Sequence, residues 1–133
     1  MLKHWTLFRK LWRNYERLNR EASRQFPTMF EWPRSCTYWA KHKVQKLLEG
    51  IGMKASDFDG CQYGLKSVRK GREHLFLRKP WTIASNIPEV FPLLCRLCPG
   101  ETEAHRHDTC NNENAIASQY YTPFMVKLSI WPL

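Results

Sequence analysis

A chain of 133 residues with 43% hydrophobic and 25% charged side chains has room for one domain around one core, and that balance excludes a disordered polyelectrolyte. No apolar run nears the roughly 20 residues of a membrane span, and the opening MLKHWTLFRKLWRNYERLNRE lacks the unbroken apolar run of a secretory leader. The expected protein is intracellular, nuclear or cytoplasmic and not secreted, with its five cysteines reduced or metal-bound; its formal charge of +9 favours a polyanionic partner, nucleic acid or an anionic surface, and no membrane partner is expected.

Trp5, Phe8, Trp12, Tyr15 and Ala22 recur at helical spacing, with Leu11 and Leu18 on the flank of the same stripe, so residues 3–24 read as an amphipathic helix. Its other face carries Lys3, Arg9, Lys10, Arg13, Arg17, Arg20 and Arg24, which suits either solvent or phosphate. TMFEW reads as a short buried strand stopped by Pro33. A helix over about 40–50 follows, built on Val44, Leu47 and Leu48 and ended by Gly50 and Gly52, then a strand in MKASDFDGC closed by Asp59-Gly60. Helix, strand, helix, strand argues for an α/β layer with parallel neighbours. CQYGLKS and LFLRKPWTIAS then read as an antiparallel hairpin joined by the basic loop VRKGREH, and 87–95 as a short helix with Cys95 on its apolar face. Residues 99–118 are polar and irregular, and a last helix is expected over about 122–130. The chain thus divides into an N-terminal basic helix (1–26), an α/β core (27–95) and a Cys/His loop with the C-terminal helix (96–133).

CRLCPGETEAHRHDTC places Cys95, Cys98, His105, His107 and Cys110 within sixteen residues. Zinc takes four thiolate or imidazole ligands in a tetrahedron and stiffens loops that bury little. The spacing is not that of a standard finger, and Cys61, at a strand end, is free to approach the loop in space. The preferred set is Cys61, Cys98, His105 and His107, with Cys110 as substitute. Glu31 and Asp59 each close a strand, and ligands of open α/β sheets bind at that edge, which makes both candidate catalytic groups, while capping of the next element is the plainer role. Glu31, Asp57 and Asp59 together would suit a magnesium-dependent nuclease or integrase. Lys66, Arg69, Lys70, Arg72, Arg78 and Lys79 crowd the hairpin, where Tyr63 or Trp81 would be placed to stack on a base.

FEWPRSCTYW resembles the (I/V)E(N/H/W)P-x-(G/S) segment of phage and mobile-element proteins related to DNA methyltransferases. FDGCQYGL resembles the Cys-x-Tyr-Gly that follows in them, LRKPWTIASN their Lys-Pro-(Thr/Trp) segment, and Cys98 with His105-x-His107 a later Cys and His element. The forms WP, FDGC and KPW are most similar to domains of retroelement polyproteins, and the likeness runs from Phe30 to Thr122. It implies a Rossmann-like sheet and S-adenosylmethionine, with Glu31, Trp32 and Pro33 at the catalytic loop, Trp32 or Tyr38 stacked on a flipped base, and Arg34 near the nucleic acid. Trp32 stands where many members carry Asn or His. No glycine-rich strand-turn-helix precedes TMFEWP, so the resemblance implies the second half of such a domain, one that binds DNA ahead of RNA without transferring methyl groups unaided. Its partners would be nucleic acid and either a second copy or the missing cofactor-binding half. The alternatives are a zinc-stabilised nucleic-acid-binding module and the nuclease.

Overall fold

A computed structural model describes residues 2–119 together with Thr122, Pro123 and Met125. The elements run α1 (Leu2–Ala22), β1 (Met29–Pro33), α2 (His42–Gly50), β2 (Lys54–Asp59), β3 (Pro80–Ser85) and α3 (Asn112–Ala117), with single 3-10 turns at Thr37–Ala40, Gly60–Tyr63 and Pro88–Val90. The C-terminal helix expected over 122–130 otherwise lies outside the described residues.

Among the described residues the sheet has the order β1-β3-β2, and both pairings are antiparallel. The expected parallel neighbours are therefore corrected. β1 and β2 do run the same way, linked through α2, but the gap between them is filled by β3, giving a split β-α-β unit. β3 takes the centre because it is apolar or small on both faces. Trp81 and Ile83 point to one side and Thr82 and Ala84 to the other, and all four are buried. The expected long strand LFLRKPWTIAS is also divided. Leu65–Ser67 meets Leu75–Leu77 through the Lys66–Phe76 bridge, and the chain then turns at Lys79, whose φ of 35° no strand accommodates, before Pro80 opens β3.

Two clusters sandwich the sheet. Phe58, Tyr63, Leu65, Leu77, Trp81, Ile83, Val90, Leu94 and Met125 fill one side. On the other, α1 and α2 pack Trp12, Phe8, Leu47 and Leu48 over Phe30 and Ala84. The stripe read from the sequence is only partly right, since its flanking Leu11 and Leu18 are 59% and 48% exposed. The expected helix over 87–95 reduces to one turn and bends, and Cys95 is exposed where an apolar face was expected. No described helix is long and apolar enough to cross a membrane.

Candidate metal centre

Cys61, Cys98, His105 and His107 converge so that one ligand atom from each lies within 4.8 Å of all the others, a spacing at which a single metal ion can touch all four. This is the set preferred from the sequence. Cys110, its substitute, instead lies 3.4 Å from Ser118 Oγ.

Each ligand is placed by a local cause. Cys61 follows β2 through Gly60, where a Cβ would come within 2.7 Å of Leu65 Cδ2 and 3.2 Å of Trp81, so a larger residue would have to displace the Leu65 side chain. Gly100, at φ 118°, turns the chain back after Cys98. Thr102 and His105 exchange backbone hydrogen bonds across a tight turn, and from His105 to Asp108 the chain runs extended beside Phe76, which donates to the Arg106 carbonyl and accepts from the Asp108 N–H. In extended chain, residues two apart share a face, which is why a His-x-His pair too close for a helix works here. His105 Nε2 lies 3.7 Å and His107 Nε2 3.5 Å from Cys98 Sγ. The His105 ring stacks on Phe76 with centroids 4.4 Å apart. Glu101 accepts the His107 backbone N–H at 2.7 Å and lies 3.6 Å from Nδ1, leaving Nε2 for the centre. Burial and the neighbouring His105 lower the His107 pKa, favouring the neutral, ligating imidazole. Burial, and secondarily Cys98, push the Cys61 thiol up to about 11; a divalent cation beside that sulfur reverses the preference.

The rim beside this centre was legible only as separate residues. Asp59 is fully buried; it accepts the Cys98 backbone N–H at 2.8 Å and Arg34 Nη2 at 2.9 Å, and lies 3.6 Å from Arg78 Nε. Arg34 also reaches Asp57 at 3.6 Å. Asp59 therefore fastens the ligand loop to the end of β1. Glu31 pairs with Ile83 and Asp57 with Thr82, so alternation puts Glu31 on the face opposite Asp57 and Asp59, and the magnesium triad does not assemble.

Trp32 and Tyr38, expected to stack on a base, are engaged in aromatic packing. The Trp32 ring lies 4.8 Å from Phe8, 5.0 Å from Phe30 and 4.7 Å from Trp39, and Tyr38 is buried between Trp5 and Trp32. The Pro33 carbonyl accepts the Cys36 N–H at 2.9 Å and the Trp39 indole at 3.1 Å, so the Glu-Trp-Pro corner is packed. Trp81 is 2% exposed and belongs to the core.

The hairpin cations are mostly engaged. Arg69 and Arg72 meet Asp108 at 3.2 and 3.1 Å, Lys66 sits over Phe76 and Lys79 donates to Ser118 at 2.7 Å, while Lys70 is exposed. Sequence reasoning missed Asp108. The Ser67 hydroxyl above all, then the Thr109 N–H, the Asn114 amide and Arg69, hold its carboxyl down to about 2. Between this network and the end of β1 opens a cleft of about 740 Å³ bordered by Pro33, Arg34, Arg78, Lys79 and Cys110.

No protein-family model, curated protein or solved structure matches this chain.

Proposed function

We propose that this is a zinc-stabilised nucleic-acid-binding domain whose ligand loop and cationic cleft are built as one unit. Two thiolates and two imidazoles are a zinc donor set. With Zn–S near about 2.3 Å and Zn–N near about 2.05 Å, a tetrahedron has S–N edges of about 3.6 Å. The two Cys98–histidine separations, 3.7 and 3.5 Å, match that edge. The observation that carries the reading is Asp59, which holds the Cys98 backbone while pairing with Arg34 and Arg78 at the mouth of the cleft. On the lining of that cleft Arg34, Arg78 and Lys79 outnumber Asp108, which leaves a field suited to phosphate.

The ordered FEWP, FDGC and KPW segments support descent from a methyltransferase-like sheet of a mobile element. The two co-directional strands ending at one rim are compatible with that descent. In this reading DNA is the preferred polymer, methyl transfer does not occur unaided, and a second copy or a separate cofactor-binding half is the protein partner. The test is a titration of duplex DNA into metal-loaded chain at several salt concentrations. Affinity falling steeply with salt supports the reading, and affinity indifferent to salt refutes it. Calorimetry with S-adenosylmethionine is expected to give no heat from this chain alone.

A further inference from the structure

The rim cations have partners, but a second group of cations does not. Arg9 and Arg13 on α1 and Lys43 and Lys46 on α2 are exposed, and none enters an ion pair among the described residues. They border a cleft of about 280 Å³ between the two helices, floored by the half-buried Trp5 and Leu47 with the buried Trp12 at its base. The spacing explains the convergence. Trp5, Arg9 and Arg13 follow one another at four-residue steps on α1, and Lys43, Lys46 and Leu47 share a face of α2. Glu16, the one acid on the lining, accepts the Trp12 indole N–H at 3.2 Å. The floor is held rigid, since Trp5 packs on Tyr38 at 5.0 Å and Trp12 on Phe8 at 5.9 Å.

We propose that this cleft is a subsite for single-stranded nucleic acid, in which one unpaired base rests on the half-buried Trp5 indole and its flanking phosphates lie on the arginine wall and the lysine wall. The proposal rests on the nucleic-acid reading above but uses a different surface. Positive walls flanking aromatic rings are how single strands are held without reading their sequence. With the Trp12 N–H committed to Glu16, the floor offers apolar and π surface, which accepts any base. A cleft of about 280 Å³ is at the small end of ligand sites, matching one base better than two. Duplex DNA keeps its bases stacked on each other and offers none to the floor.

The experiment is photo-crosslinking of the full metal-loaded chain to an oligothymidylate of about 12 nucleotides carrying 5-iodouracil, a length within known single-strand site sizes. Adducts are mapped by mass spectrometry, and affinities for the single strand and for a duplex are measured by anisotropy. Adducts within residues 3–16 or 42–50 are expected. Lys43→Gln with Lys46→Gln should weaken single-strand binding about tenfold, whereas Lys3→Gln with Lys10→Gln, an equal charge change, should weaken it less than about threefold. All four lysines are exposed, and an unchanged melting temperature verifies that both variants fold. Adducts confined to other segments, or equal losses in the two variants, would overturn the proposal. A chain that binds duplex but no single strand overturns this subsite alone, and a chain that binds neither overturns the nucleic-acid reading with it.

Discussion

Replacing Arg34 with methionine removes the closest cation from a carboxylate with no solvent. Asp59 is 0% exposed and its contact with Arg34 is 2.9 Å. Leaving a buried charge without its partner costs about 3–5 kcal/mol. Here the Cys98 N–H at 2.8 Å remains, Arg78 stays 3.6 Å away, and the Arg34 side chain is itself 30% exposed. The loss expected for Arg34→Met is therefore about 2 kcal/mol. At about 4 °C per kcal/mol for a domain of this size, the melting temperature should fall by about 8 °C. The assay is thermal unfolding of metal-loaded, reduced protein for Arg34→Met, Asp59→Asn and the double variant. A coupling above about 1 kcal/mol between the two sites is expected, because each substitution removes one half of the same contact. A loss under about 0.5 kcal/mol, or strict additivity, would refute the idea that Asp59 and Arg34 hold the rim together.

Gly60→Ala forces a methyl against Leu65 and Trp81, and should cost about 1–3 kcal/mol by denaturant unfolding; a neutral result would mean the Gly60–Tyr63 turn moves freely. Trp32→Leu should lower stability by about 2 kcal/mol while leaving nucleic-acid affinity per folded molecule unchanged, since the ring packs inside an aromatic cluster; a selective loss of binding would return Trp32 to the site. Asp59→Asn should weaken metal affinity about tenfold or more in a chelator competition, because the carboxylate positions the Cys98 backbone; unchanged affinity would mean the ligand loop stands by itself.

Much of this arrangement was legible in the residues. The first four elements follow from apolar periodicity and from Pro33, Gly50 and Gly60. The four ligands followed from the donor chemistry of cysteine and histidine. The position of β3 was not legible. Trp81 and Ile83 alternate with Thr82 and Ala84, and that pattern cannot say which strands will flank them on either side. Nor does local sequence reveal that the carboxylate at position 59 meets a guanidinium 25 residues earlier, or that Tyr38 and Trp81 are sealed inside aromatic packing. Burial is decided by tertiary contacts, which the spacing of aromatics only hints at. For the same reason the sequence hides that Arg69 and Arg72 are engaged, because Asp108, which pairs with both, lies almost forty residues away.

X-ray absorption at the zinc edge, on chain refolded with one equivalent of zinc, examines the ligand cluster most directly. Two sulfurs at about 2.3 Å and two imidazole nitrogens at about 2.0 Å are expected, with Cys61→Ser removing one sulfur and Cys110→Ser removing none. A spectrum dominated by oxygen donors, or loss of sulfur on substituting Cys110 in place of Cys61, would contradict a metal held by Cys61, Cys98, His105 and His107.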